Sequence, residues 1–311
     1  MREKLKLIQE GLIGRKSEIT NIMAALSAGK HMLLEGPPGT SKSTILRRIA
    51  TVLQVPFYIV EGNIDLVPAK LVGQFNPAKV LAESFHPDFF EKGPLTLAME
   101  QGGILYLEEF NRMPADIANV LITPMEEGEL NIPRFGTIKS RPGFMVIAAQ
   151  NPYDDVGTVR VSRAFMDRIC RITLDYQSEE EEISIVQART GVDDPELVKL
   201  AVKIVRQTRN HPDIKLGASV RAAIDIVAIC SNLQLLTDDP QNNFETAVLM
   251  ALTGKIWLTE LTNRTSEDIL RDLIRSVPPG GFSGTQSPDQ IPALDKKKIY
   301  SQRIGMVGSG K

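Results

Sequence analysis

Cysteine is nearly absent. The two in 311 residues, Cys170 and Cys230, leave no disulfide framework of the kind that holds small extracellular scaffolds together. Both sit in apolar surroundings and read as small buried hydrophobes in a reducing compartment. Histidine is also scarce. His31, His86 and His211 are scattered without metal-ligand spacing, which argues against a zinc site. No apolar run approaches the ~18 residues that a membrane-spanning helix needs. The opening residues Met1-Arg2-Glu3-Lys4-Leu5 carry charge but no apolar stretch of a signal peptide, so a cytoplasmic protein is the expectation. Neither sign of charge dominates: 36 Lys and Arg stand against 38 Asp and Glu, for a net charge of −2. That balance gives no global attraction to nucleic acid or to anionic membranes. Aromatic residues make up 5% of the chain, so the one stretch where they gather, 75–90, stands out.

What is present falls into three regions. Up to about Tyr176, short apolar runs alternate with amphipathic segments, the pattern of an α/β fold with a parallel sheet between helices. The expected strands are Met32-Leu33-Leu34-Glu35, Phe57-Tyr58-Ile59-Val60, Ile104-Leu105-Tyr106-Leu107, Met145-Val146-Ile147-Ala148-Ala149 and Arg171-Ile172-Thr173-Leu174. Each is short and apolar, as strands buried on both faces should be. From Ser178 to about Val277 the strand signals stop. Ser178 before Glu179 to Glu182 reads as a capping box, and Asp194-Pro195 and Asp239-Pro240 read as further helix starts. Apolar residues recur at helical spacing over 197–208, 220–236 and 244–261, which predicts a small all-helical domain. From Pro278 on, the Pro- and Gly-rich text with Lys296-Lys297-Lys298 reads as a linker or tail.

The first chemical signal is Gly36-Pro37-Pro38-Gly39-Thr40-Ser41-Lys42-Ser43-Thr44. It follows a strand and opens a helix, the context a phosphate loop requires. Backbone N–H groups of such a loop, with the helix N-terminus behind them, surround phosphate oxygens. Lys42 supplies a charge to the β- and γ-phosphates, and the Ser43 hydroxyl can ligate Mg²⁺. The ligand expected is a nucleoside triphosphate, ATP with Mg²⁺. The strict pattern has glycine where Ser41 stands, and a side chain there costs the loop some freedom.

The second signal is an apolar strand that ends in two carboxylates, Glu108-Glu109. Strand C-terminal ends face the ligand crevice of an open α/β sheet. Carboxylates there can hold a metal ion and orient a water, two tasks that need two groups. Glu108 is assigned to the metal and Glu109 to the water.

Together these residues resemble the MoxR-type AAA+ ATPases over nearly all of 5–277. Ile13-Gly14-Arg15 is similar to the segment that family places beside the adenine, and the phosphate loop follows it. Gly93-Pro94-Leu95, Glu109-Phe110-Asn111-Arg112 and Met125-Glu126-Glu127-Gly128 resemble the elements around its acidic strand. Gln150-Asn151-Pro152 resembles its sensor-1 signature, Phe165-Met166-Asp167-Arg168 its arginine-finger segment, and Gly217-Ala218-Ser219-Val220-Arg221-Ala222 the start of its sensor-2 helix. The family often carries alanine at the position of Ser41. Residues 129–141 look like the hairpin this clade inserts before sensor 1, where Arg134, Lys139 and Arg141 face the pore or only solvate the hairpin. The aromatic stretch 75–90 lies where inserted elements contact a client or simply pack.

The resemblance implies an AAA+ αβα core over 1–176, a helical lid over 177–277 and a flexible tail over 278–311. It assigns Asn151 to the γ-phosphate and attacking water, Arg221 to the nucleotide in cis, and Arg168 to a neighbouring subunit's nucleotide. Arg163 and Arg171 compete for that last role. A residue acting in trans implies a ring, most simply a hexamer. The implied activity is ATP hydrolysis that remodels or matures a partner complex, often a metalloenzyme, commonly with a von Willebrand A-domain protein. One departure matters: the family has aspartate where Glu108 stands. Lengthening that side chain by one carbon bond, ~1.5 Å, shifts the carboxylate toward the metal and predicts slow turnover with binding intact. Two alternatives stay open, an assembly switch with little or no hydrolysis and a motor acting on nucleic acid, against which the net charge counts.

Overall fold

A computed structural model describes residues 1–83, 85–153 and 161–277; the expected tail at 278–311, with its lysine cluster, lies outside the described residues. Five strands form one sheet: β1 (Met32–Glu35), β2 (Phe57–Glu61), β3 (Ile104–Glu108), β4 (Met145–Gln150) and β5 (Cys170–Thr173). All neighbours are parallel, in the order β2-β3-β4-β1-β5. All five expected strands form. The chain leaves β1 in the interior of the sheet, crosses to β2 at the far edge, and returns through β3 and β4 to β1's side. The C-terminal ends of β1 and β4 therefore flank a topological switch point, the place where open α/β sheets bind ligands.

Side chains alternate between the two faces with the period of two that strands impose. Met32, Leu34, Ile104, Tyr106, Met145 and Ile147 pack on one face, against Ile19, Ile22, Ile45 and Ile49 of the flanking helices Lys16–Ser27 and Lys42–Leu53. Leu33, Leu105, Leu107, Val146 and Ala148 pack on the other, against Leu95, Ile117, Leu121 and Phe165. Only β1, β3 and β4 are buried on both faces. The edge strand β2 is half-buried and β5 is largely exposed. Cys170 opens β5 and is exposed, contrary to its reading as a buried hydrophobe, whereas Cys230 is buried. An edge strand lacks a neighbour on one side, and sequence alone does not show which strand will be the edge.

Beyond the sheet a separate apolar cluster runs from Val186 to Val277. It is built from the helices Glu179–Thr190, Pro195–Thr208, Val220–Leu233, Pro240–Leu252 and Ser266–Ser276. The expected caps form: Ser178 and Glu181 make a reciprocal capping box, while Asp194 accepts from the Leu197 N–H and Asp239 from the Asn242 N–H. Two expectations fail here. The helices expected at 220–236 and 244–261 end at Leu233 and Leu252. After the second, Trp257–Leu258 pairs antiparallel with Ile214–Leu216, so the region is not purely helical. A two-residue strand leaves no periodicity to read.

The aromatic stretch and the hairpin meet. Gly73–Phe75 pairs with Phe90–Lys92, and Glu129–Ile132 pairs with Gly136–Lys139. Phe75, Phe90 and Phe135 form a continuous ring cluster between them, with centroids 5.3 and 4.7 Å apart. Among the described residues no helix is long and apolar enough to cross a membrane.

Candidate functional site

The loop after β1 wraps back on itself. Gly36 has no room for a side chain, because a Cβ there would overlap the Leu174 carbonyl. The Thr40 hydroxyl donates to the Pro37 carbonyl at 2.9 Å. The loop then turns through two left-handed residues, Gly39 with φ 78° and Ser41 with φ 67°. Glycine takes that conformation freely, whereas an L side chain is held there at a cost of ~1 kcal/mol or more. Ser41 thus stands where the backbone asks for glycine, as its place in the pattern indicated. It is the residue immediately before the helix Lys42–Leu53, whose first N–H groups are left for a ligand.

Lys42 projects into the centre of this turn. Its ammonium donates to the carbonyls of Gly36 at 2.7 Å and Pro37 at 3.0 Å. Burial pushes its pKa down to about 8; the nearby Arg221 and Arg15 charges add to that, and Glu108 opposes it. The next residue, Ser43, donates its hydroxyl to Glu108 Oε1 at 2.7 Å. The phosphate loop and the acidic strand end, 65 residues apart in the chain, are therefore in direct contact.

Glu109 leaves β3 in the left-handed region, φ 51°, and its carboxylate pairs with Arg112 at 3.0 Å. Asn111 donates to the Asn151 carbonyl at 3.2 Å. Asn151 uses its own side-chain oxygen to accept the Tyr153 N–H at 3.2 Å, the local turn that an Asn-Pro sequence favours. From the lid side, Arg221 sits at the start of the helix Val220–Leu233. Ser219 comes so close to the loop that a Cβ on Gly39 would lie 2.5 Å from its Oγ.

Residues 38–44, Glu108, Glu109, Asn151 and Arg221 line one cleft of about 820 Å³. Five expected residues fall outside its lining. Gly36 and Pro37 reach it only through their carbonyls, which accept from Lys42. Ile13 and Gly14 pack against the start of the lid: the Ile13 carbonyl accepts from Gln177 at 2.7 Å, and a Cβ on Gly14 would overlap the Glu181 carboxylate. Arg168 is the fifth. Its guanidinium pairs with Glu126, Nε to Oε2 at 3.0 Å, and donates to the Ala164 carbonyl at 2.7 Å. Arg171 pairs with Glu35, while Arg163 is exposed at the first position of a short helix capped by Ser162.

Two contributors escape sequence reasoning. Glu35, buried at the end of β1, accepts from Gln150 Nε2 at 2.6 Å and so fixes the residue before Asn151 to the residue before Gly36. Arg112, which pairs with Glu109, had only its place in the quoted motif as a signal. The oxygen donors of the cleft suit a magnesium ion. A serine hydroxyl and a carboxylate in contact offer two hard ligands, and Mg²⁺ is commonly bound by few protein groups plus phosphate oxygens and water.

Residues 31–169 match the family model described as "AAA domain (dynein-related subfamily)". The match begins just before β1 and ends just before β5, so the matched segment includes residues 36–44, both glutamates, Asn151 and Arg168. Among curated proteins the chain is similar to the gas vesicle ATPase GvpN of Ancylobacter aquaticus, 30% identical over 70% of this chain and 65% of that one. It is also similar to GvpN of Haloferax mediterranei, 28% identical over 66% of this chain and 63% of that one. The matches thus span just under two thirds of the length of these relatives. Among solved structures, a Cytophaga hutchinsonii protein superposes with a TM-score of 0.51 over 89% of this chain and 94% of that one, at 22% identity. The Thermotoga maritima RuvB Holliday junction branch migration motor superposes with a TM-score of 0.50 over 78% of this chain and 70% of that one, at 18% identity. Likenesses at these identities show the fold, and the fold is the AAA+ αβα fold.

Proposed function

We propose that the chain is an ATP-hydrolysing AAA+ machine of the MoxR and GvpN-like kind, with a nucleotide-binding core over 1–176, a helical lid over 177–277 and a tail over 278–311. The observation that carries this reading is the contact between Ser43 and Glu108 at 2.7 Å, with Lys42 beside it and Glu109 next in the chain. The groups proposed to bind phosphate and to activate water line one cleft, and the names of the curated relatives support the same activity. Loop N–H groups and Lys42 bind the β- and γ-phosphates. Ser43 and Glu108 would hold Mg²⁺, which neutralises phosphate charge when bound. Glu109 accepts a proton from water as the water oxygen bonds to the γ-phosphorus. The bond from that phosphorus to the bridging oxygen breaks, leaving ADP and phosphate. Asn151 orients the water, Arg221 contacts the nucleotide from the lid, and Arg168 acts on a neighbouring subunit's nucleotide within a ring, a hexamer. By the resemblance, lid motion between nucleotide states remodels a client complex in the cytoplasm, with a von Willebrand A-domain protein as partner.

Glu109→Gln tests the assignment. ATP should still bind, and phosphate release should fall at least a hundredfold, the usual size of a lost general base. Release at the parental rate would remove Glu109 from the mechanism. In the same assay the parent is expected to turn over slowly and Glu108→Asp to be faster; a slower Glu108→Asp would show that the longer side chain is adapted to this site. A second reading, an ATP-dependent assembly switch without hydrolysis, is favoured by the Glu109–Arg112 pair, which occupies the carboxylate. Absence of phosphate release at high protein concentration, with nucleotide-dependent assembly intact, would establish it.

A further inference from the structure

The lid presents Arg221 to the phosphate loop, yet little at the start of its helix holds it there. Ser219 makes no side-chain cap, and Gly217, Ala218 and Ser219 lie in no helix or strand. The segment is fixed from outside. Ala218 donates its N–H to the Thr208 hydroxyl at 3.0 Å and accepts from Arg209 Nε at 2.8 Å. A side chain on Gly217 is excluded, since its Cβ would lie 2.6 Å from the Arg209 backbone. The same Arg209 guanidinium pairs with Glu182 at 2.8 Å and stacks over the Tyr176 ring at 3.8 Å. Glu182 is only 2% exposed and also pairs with Arg206 at 3.1 Å. Arg206 in turn donates to the Gln177 carbonyl at 3.0 Å, and Gln177 donates to Ile13.

We infer that Arg209 is a positioning residue that sets Arg221 against the nucleotide, by tying the connector at Tyr176 and the buried Glu182 to the Ala218 carbonyl. This rests on the proposed nucleotide contact of Arg221. One planar guanidinium serves three partners on three segments: the link out of the sheet, the first lid helix, and the strand-to-helix turn that carries Arg221. The far side of that turn touches the phosphate loop, with Ser219 facing Gly39. A shift of the lid relative to the sheet therefore reaches Arg221 through Arg209. Lysine could keep a charge for Glu182, but as a point donor it cannot also stack on Tyr176 and hold Ala218 in the same geometry.

The test uses the full chain and reads ATP and ADP affinities from the fluorescence of Trp257, the sole tryptophan, which lines the cleft. Arg221→Ala is expected to lower the preference for ATP over ADP. Arg209→Lys should lower it on the order of tenfold with ADP affinity unchanged, and the double variant should be no worse than Arg221→Ala alone, as for two residues acting through one contact. If Arg221→Ala lowers the preference while Arg209→Lys leaves it intact, or the two losses multiply, the inference is overturned and the reading of Arg221 stands. If Arg221→Ala itself has no effect, both fall. Should Arg209→Lys not fold, Tyr176→Leu removes the stacking partner alone and carries the same expectation at smaller size.

Discussion

Lys42 shows how the surroundings of one side chain set its response to pH. Burial brings its pKa from 10.5 to about 8, so without ligand the fold disfavours the charged ammonium. That penalty on stability is fully present below about pH 8 and disappears as pH rises from there toward 10.5, because only in that window does the unfolded chain hold more protons. Phosphate binding has the opposite demand and needs the charge. ATP affinity is therefore expected to weaken above about pH 8, by up to about tenfold per pH unit, with proton uptake on binding. Calorimetry in buffers of differing ionisation enthalpy would measure that uptake, and none at pH 9 would contradict it. That Lys42, Ser43 and Glu108 would share a cleft was legible because motif spacing and the end of an apolar strand are local signals. The Glu35–Gln150 contact was not, since its partners lie 115 residues apart and meet only because β1 and β4 are neighbours.

At the scale of elements, caps and boundaries carry the information. Ser178 closes the capping box that starts the helix Glu179–Thr190, immediately after the connector from the sheet. Ser178→Ala should lower stability by about 1 kcal/mol, measured as a shifted denaturant midpoint with unchanged slope; an unchanged midpoint would mean that tertiary packing alone fixes this helix start. These caps were readable because each is a polar residue with its partner three positions on. The helix expected over 244–261 was overextended because apolar spacing continues past Leu252, although Trp257 and Leu258 belong to a strand pair. Short runs fit either period, and only the partner strand Ile214–Leu216 decides between them.

At the scale of the whole molecule, the proposed ring requires one arginine to complete a neighbour's site. Arg168 is engaged with the half-exposed Glu126 and Arg171 with Glu35. An ion pair at a surface is worth about 1 kcal/mol at most, so an incoming nucleotide can displace Glu126 from Arg168. If Arg168 acts in trans, Arg168→Ala and Glu109→Gln subunits should each be inactive alone and regain phosphate release when mixed, because one interface of the mixed ring is complete. Failure of the mixture, with recovery by Arg163→Ala or Arg171→Ala instead, would transfer the role.

Local sequence was enough for the glycine-rich loop between strand and helix, the acidic strand end, the five strands and the capped helix starts. Each of these is encoded within a few residues, by side-chain period, cap spacing or a strand-loop-helix order. What depends on segments remote in the chain came only with the packed fold. Strand order made β5 an edge and exposed Cys170, and placed Glu35 against Gln150. The packing of the lid gave Arg209 its three partners, and Arg168 pairs with Glu126 outside the cleft lining. Sequence spacing carries no record of those distances, because they are set by how the sheet is ordered and how the helices pack upon it.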